Sequence, residues 1–162
     1  MKKQWLFALV AFGIIALLGA LFPFSFNTGN TEGIDPGDTA WMLASTALVF
    51  LMTPGLGFFY GGMVKPKNVI STILQSFIAM GLISILWVVL GFSLAFGESV
   101  GAEGYGFFGN PATFFMFRGV GGAPDPAFAA TIPLALFALF QLKFAIITPA
   151  LFTGSFAGRV RF

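Results

Sequence analysis

Three long apolar stretches follow residue 38, and the charged residues sort to opposite ends of them. The six acidic residues precede the first stretch or lie between the second and third: Glu32, Asp35, Asp38, Glu98, Glu103 and Asp125. Basic pairs lie between the first two stretches and after the third: Lys65, Lys67, Arg159 and Arg161. Two basic residues, Arg118 and Lys143, break this pattern. Because Lys and Arg accumulate in cytoplasmic loops, we predict a multi-pass protein of the inner (plasma) membrane. Residues 27–38 and 97–126 would be outside, with residues 61–68 and the C-terminus inside.

The composition also favours a membrane protein. Charged residues make up 9% of the chain and hydrophobic residues 57%, whereas soluble domains carry about 25% charged residues. The expected surroundings are therefore the lipid bilayer. The net charge of +2 is small and sorted by side, so no nucleic-acid partner is expected. The lack of cysteine and histidine excludes a disulfide framework and the commonest metal ligands and proton shuttle.

We predict an all-α, polytopic membrane helix bundle with spans at about 39–60, 69–96 and 127–156. Each stretch reaches the roughly 20 apolar residues that cross the hydrocarbon core. Membrane strands would alternate polar and apolar residues, and these stretches do not. The turn between the first two spans is short, so these spans should be antiparallel neighbours.

Residues 1–26 have the form of a secretory signal. Two lysines precede an apolar run over 5–22 that has small residues near its end. The run is longer than the roughly 7–15 residues typical of a signal peptide, and Leu18 fits poorly before a cut after Ala20. A cleaved signal peptide and an uncleaved signal anchor both stay open, and both deliver the following linker to the outside.

Catalysis is not expected. No pair of acids lies within a span, and the serine and threonine residues there have no base that would activate them. We therefore predict that the chain is not an enzyme, with no catalytic residue, no metal site and no cofactor.

The third span carries the candidate site. Five of its residues form one stripe at about 100° per residue: Phe137, Phe140, Gln141, Phe144 and Thr148. An aromatic face attracts a cation, and aromatic rings can close a narrow pore. Spacing alone favours a simpler alternative, an aromatic packing stripe with one hydrogen-bonded glutamine.

Lys143 lies near the middle of the same span. A lysine there costs roughly 2.5–3.5 kcal/mol, but the many Leu, Ile and Phe residues each return about 0.3–0.6 kcal/mol, so insertion stays favourable. Such a charge is expected to reach an interface or face a partner, and it marks a functional site by default. Because it lies about 100° around the helix from Phe144, it need not point into a pore. Gln141 and Lys143 are candidate pore-lining or supporting residues.

Several segments together resemble the ammonium transporters of the Amt/Mep/Rh family. Residues 38–49 (DTAWMLASTALV) and 52–62 (MTPGLGFFYGG) are similar to the first helix of that family. Residues 65–69 (KPKNV) and 86–97 (LWVVLGFSLAFG) are similar to the second. The third is matched by 140–151 (FQLKFAIITPAL) and 154–162 (GSFAGRVRF). The likeness runs in order over about 38–162, within a predicted domain of 27–162.

The resemblance implies a homotrimer of eleven-helix subunits, each with a narrow hydrophobic pore for ammonium and ammonia. In such a pore, ammonium is recruited at an outer aromatic site, deprotonated and passed inward as ammonia, with its proton carried separately. Phe140 matches a phenylalanine of the recruitment site, and Phe144 matches one of two gate rings. A PII-type signal protein on the inner face is the soluble partner that the family suggests. The alternative function is an ammonium-sensing or regulatory membrane module without useful flux.

The sequence also departs from the family's pattern. The matched residues correspond to the first three spans, whereas the second gate phenylalanine, the recruitment-site tryptophan, the buried aspartate and the paired pore histidines belong to later helices. We therefore expect the N-terminal portion of a longer transporter. Gly158 stands where members usually have an acid in a closing Ala-Glu-Arg motif, and Lys143 occupies a normally small or apolar position.

Overall fold

The computed structural model describes residues 2–21, 29–101 and 106–157. Within these ranges the helices are α1 (Lys2–Leu21), α2 (Pro36–Met63), α3 (Val69–Leu86), α4 (Phe92–Phe96) and α5 (Leu134–Phe156). Two short strands, β1 (Ser99–Val100) and β2 (Phe108–Gly109), pair in antiparallel fashion. This mostly helical architecture confirms the predicted fold class. The expectations for Glu103, Gly158, Arg159 and Arg161 lie outside the described residues.

Three helices in the described part of the chain are long and apolar enough to cross a membrane: Pro36–Met63, Pro66–Phe96 and Leu134–Phe156. The prediction of three such helices is confirmed. The second combines α3 and α4. This span opens with a 3-10 turn, Pro66–Asn68, and a π-helical turn, Trp87–Gly91, joins α3 to α4 without a break. The interpretation of residues 1–26 as a signal peptide or anchor stays a prediction.

The first span begins earlier than predicted, at Pro36 instead of residue 39. Asp35 is the N-cap, and its carboxylate accepts a hydrogen bond from the backbone N–H of Asp38 at 2.8 Å. Proline is favoured at the first helical position because its missing N–H would have no partner inside the helix. Capping by Asp35 thus adds a turn to α2.

The third span begins later than predicted, and the expected start at residue 127 is wrong. The helix begins at Leu134. Before it, the Asp125 carboxylate accepts from the N–H of Ala127 at 2.9 Å and holds the chain in an irregular turn. The N–H of Leu134 has no acceptor within its own helix and donates to the carbonyl of Ala123 at 3.0 Å. The preceding loop therefore satisfies the first turn of α5 in place of a side-chain cap.

The three membrane-length helices pack against one another, with α2 contacting α3 and α5, and α3 contacting α5. Residues 97–101 and 106–133 lie at one end of this bundle, called here the loop end. Residues 64–68 lie at the other end, called here the turn end. Small residues bring α2 close to α3. A Cβ at Gly57 would lie 3.2 Å from that of Ser76, and one at Gly61 would lie 2.9 Å from Cγ1 of Ile73. Close backbone approach of this kind helps helices associate in lipid.

The loop end is covered by packed aromatic side chains. The hydroxyl of buried Ser93 accepts a hydrogen bond from the N–H of Phe114 at 2.9 Å, which ties the loop to α4. Met116 and Phe117 adopt left-handed backbone angles, with φ of 55° and 59°. This unusual turn brings the Phe117 ring 5.6 Å from the fully buried ring of Phe92. The loop is thus part of the folded core at this end.

Candidate functional site on the third span

Phe140 and Phe144 form an aromatic pair on α5. Their ring centroids are 5.2 Å apart, with an interplanar angle of 71° and an edge-to-face arrangement. The geometry follows from the helix, since residues four apart lie on the same face. Phe140 is half-buried, whereas Phe144 is 42% exposed. One turn further along, the hydroxyl of Thr148 donates to the carbonyl of Phe144 at 2.8 Å, so it is satisfied within its own helix.

Phe137 does not join this pair. Its ring lies 5.2 Å from that of Phe96 and 5.8 Å from that of Phe128, and it makes no described ring contact with Phe140. It belongs to a larger group, called here the loop-end aromatic cluster: Trp87, Phe92, Phe96, Phe114, Phe117, Phe128 and Phe137. The predicted stripe is therefore split between core packing at Phe137 and a separate ring pair further into the span.

One member of the loop-end aromatic cluster ties the second span to the third near the ring pair. The indole N–H of Trp87, in the π-helical turn, donates to the backbone carbonyl of Ala138 at 3.1 Å. Ala138 is fully buried and lies two residues before Phe140. This hydrogen bond connects the second span to the third beside the ring pair.

A second contact fixes α5 at the turn end. The hydroxyl of Tyr60 on α2 donates to the carbonyl of Leu151 at 3.2 Å. Gly154 lies against the same tyrosine, and a Cβ there would be 2.5 Å from Cζ of the ring. The α5 helix is therefore held near both ends, with the ring pair between the two contacts.

Lys143 has an aromatic partner on another helix. Its Nζ lies 4.8 Å from the centroid of the Phe50 ring of α2, within the range of a cation–π interaction. The three membrane-length helices contain one acidic residue, Asp38, in the first turn of α2. Phe50 is about twelve positions further along, or roughly 18 Å at 1.5 Å per residue. An aromatic face, and not a carboxylate, is the neighbour of this cation at mid-span.

The remaining candidate, Gln141, is half-buried on α5. It lies about 100° around the helix from Phe140. The structure therefore brings Phe140 and Phe144 together, directs Lys143 to α2, and leaves Gln141 beside the pair without a further role.

Sequence reasoning missed Phe50 and Trp87. The mid-span position of Lys143 predicted a partner, but a cation–π partner leaves no spacing signal when it lies on another helix. The indole N–H of Trp87 needs an acceptor in apolar surroundings, which was a usable signal. The carbonyl of Ala138 that accepts from it could not have been identified without the fold.

The ring pair offers a specific chemistry. Two phenylalanine faces on an apolar helix can attract a small cation through their quadrupoles, and they offer it no hydrogen-bond acceptor. A strongly hydrated ion would lose its water there without full replacement. The arrangement therefore favours weak binding of a small cation over tight coordination.

Known proteins of similar sequence identify the family of this chain. Residues 40–162 match the model of the Ammonium Transporter Family. An "Ammonium transporter" of Mycobacterium tuberculosis (strain H37Rv) is 48% identical over 141 residues, covering 79% of this chain and 29% of that protein. An "Ammonium transporter" of Aquifex aeolicus is 40% identical over 154 residues, covering 94% of this chain and 34% of that protein.

Solved structures show the same likeness. The crystal structure of the Mep2 mutant delta442 from Candida albicans superposes with a TM-score of 0.68 at 30% identity, covering 83% of this chain and 32% of that one. The structure of Saccharomyces cerevisiae Mep2 gives a TM-score of 0.64 at 30% identity, covering 85% and 30%. The chain thus spans about a third or less of the relatives it matches. It belongs to the ammonium transporter family, a family of multi-pass membrane transporters and not of enzymes.

Proposed function

We propose that the protein encoded by the complete gene transports ammonium or ammonia across the membrane, and that α5 supplies part of its recruitment site and gate. The observation that carries this proposal is the edge-to-face pair of Phe140 and Phe144 at 5.2 Å, in a chain of the ammonium transporter family. Phe140 contributes to cation recruitment. Phe144, which is the more exposed ring, is one of the two rings that form the gate.

Dehydration makes the passage of a charged ammonium ion costly. An ammonium ion entering a narrow apolar passage loses hydration, and a cation–π contact returns about 2 kcal/mol when the site is desolvated. That return is small beside the cost of carrying a bare ion further through an apolar medium. Deprotonation after recruitment removes the cost: the proton passes to a base on the later helices that the family resemblance implies, and neutral ammonia crosses the apolar constriction.

The orientation follows from the charge pattern. We place the loop end, with residues 27–38 and 97–126, outside the inner (plasma) membrane, because Lys65 and Lys67 lie at the opposite, turn end. The turn end, with residues 61–68 and the basic C-terminus, is inside, as the distribution of Lys and Arg favours. In this orientation Phe140 is the outer member of the ring pair and Phe144 is the inner one, which agrees with recruitment before gating.

The apolar surfaces of α2 and α3 require further partners. Many of their large side chains are exposed, among them Leu48, Leu51, Ile70 and Leu82. We propose that these side chains contact lipid, the remaining helices of an eleven-helix subunit and neighbouring subunits of a homotrimer. A PII-type signal protein is the proposed soluble partner, docking at the turn end on the inner face.

Uptake of radiolabelled methylammonium tests the proposal. The complete protein is reconstituted in vesicles, and uptake is compared with that of protein-free vesicles under an inward substrate gradient. We expect saturable uptake that unlabelled ammonium inhibits. Ammonium binding without any uptake would contradict transport and favour the sensing module instead.

A further inference from the structure

The ammonium group of Lys143, at the middle of α5, lies against the neighbouring helix α2. Lys143 lies near the middle of the 23-residue α5, and Phe50 lies near the middle of the 28-residue α2. The Lys143 Nζ is 4.8 Å from the Phe50 ring centroid. Among the described residues 2–21, 29–101 and 106–157, the Phe50 ring is the cation–π partner of the Lys143 ammonium group. The contact joins a fixed positive charge to α2, across the interface between the two helices.

A second aromatic ring is within reach of the same cation. Phe140 precedes Lys143 by three residues, and side chains three apart are neighbours on a helix. Helical side chains also lean toward the N-terminus, which directs the lysine toward the turn that carries Phe140. Without the Phe50 ring, the Phe140 ring on the same helix is an aromatic surface within reach of the lysine.

We propose that Phe50 is a positioning residue that holds the Lys143 ammonium group on α2 and thereby keeps the face of Phe140 open to the transported cation. A released lysine would bind Phe140 from within its own helix. Because it is tethered, its effective concentration at that ring is in the millimolar range or above. It would therefore act as a built-in competitor of ammonium. This inference rests on the proposed function, since it assigns Phe140 to cation recruitment.

Methylammonium uptake kinetics in vesicles that contain the complete protein test the inference. Phe50→Leu removes the aromatic face and keeps an apolar side chain. We expect it to raise the KM about 2–5-fold, the range for a partly exposed cation–π contact, and to leave the maximal rate unchanged, as competition requires. In a Lys143→Met background, which lacks the Lys143 ammonium group, Phe50→Leu should leave the KM unchanged.

Two further variants separate positioning from plain packing. Phe50→Tyr keeps the aromatic face and should keep the KM of the unsubstituted protein. Phe58→Leu is the matched control, because Phe58 is an exposed ring of the same helix without a described cation. It should leave the KM unchanged in both backgrounds. All variants are compared at equal amounts of reconstituted protein.

The outcomes are distinct. Equal KM changes from Phe50→Leu with and without Lys143 would overturn the inference, as would an unchanged KM in the Lys143 background. A loss of maximal rate alone would assign Phe50 to packing and would likewise overturn it. Absence of uptake by the unsubstituted protein would instead contradict the proposed function itself.

Discussion

The indole N–H of Trp87 donates a hydrogen bond to the backbone carbonyl of Ala138 at 3.1 Å, across the interface between the second and third spans. Trp87 is the first residue of the π-helical turn Trp87–Gly91. Such turns are rare in proteins, and those that occur are often at functional sites. The ring also packs edge-on to Phe92, with centroids 5.9 Å apart. The irregular turn thus has a structural consequence, because it presents a donor to the helix that carries the ring pair.

Replacing Trp87 by Phe should therefore destabilise the bundle. The phenyl ring keeps much of the aromatic packing, but the hydrogen bond is lost, and such bonds contribute about 0.5–1.5 kcal/mol. We expect a lower midpoint of thermal unfolding in detergent, followed by circular dichroism. Trp41→Phe is the matched control, because that tryptophan is 74% exposed on α2. An equal shift for both variants would contradict a specific role for Trp87.

Gly154→Ala should also destabilise the chain. The new Cβ would lie 2.5 Å from Cζ of Tyr60, so the ring must move and its hydrogen bond to Leu151 is disturbed. Overpacking of this kind costs about 1–3 kcal/mol. Gly81→Ala is the control, since a Cβ there meets nothing within 4 Å and alanine favours a helix by up to about 1 kcal/mol. The same thermal assay should show a loss for Gly154→Ala and no loss for Gly81→Ala.

The proposed orientation can be tested by cysteine labelling, because the sequence contains no cysteine of its own. Ser99→Cys and Lys67→Cys place one thiol at the loop end and one at the turn end; both positions are exposed. In intact spheroplasts, a membrane-impermeant maleimide should label Ser99→Cys. It should label Lys67→Cys only after the membrane is permeabilised. The reverse pattern would invert the topology and place Phe144 outside Phe140.

Phe144→Ala should weaken the selectivity of the gate. The substitution removes one ring of the pair and leaves open space at the proposed gate. We expect uptake of the larger dimethylammonium to rise relative to methylammonium in the reconstituted complete protein. Phe152→Ala, on the same helix with 65% exposure, should leave that ratio unchanged. An unchanged ratio for Phe144→Ala would remove this residue from the gate.

The long-range pattern of the chain was predictable, because hydropathy and charge act over whole spans. Three apolar stretches, each long enough to cross a bilayer, predicted three membrane-spanning helices. The ends were less predictable, since they depend on single contacts. The cap at Asp35 lengthened α2, and the turn at Asp125 delayed α5 although the intervening residues are apolar.

Some contacts within the candidate site were likewise predictable from the sequence, and others depend on the fold. The pairing of Phe140 with Phe144 follows from their spacing on one helix. The separation of Phe137 from that pair depends on the ring of Phe128, which the loop before α5 supplies, and on the ring of Phe96 from the second span. The pairing of Lys143 with Phe50 joins residues far apart in sequence, and only the packing of α2 on α5 brings them together.

The most direct test of the central claim is the concentration dependence of methylammonium uptake by the complete protein and its Phe140→Ala variant, reconstituted at equal amounts. If Phe140 recruits the cation, the loss of a contact of about 0.5–2 kcal/mol should raise the KM roughly 2–30-fold. The matched Phe152→Ala variant should keep the original KM. An unchanged KM for Phe140→Ala would contradict the assignment of the ring pair to the transport path.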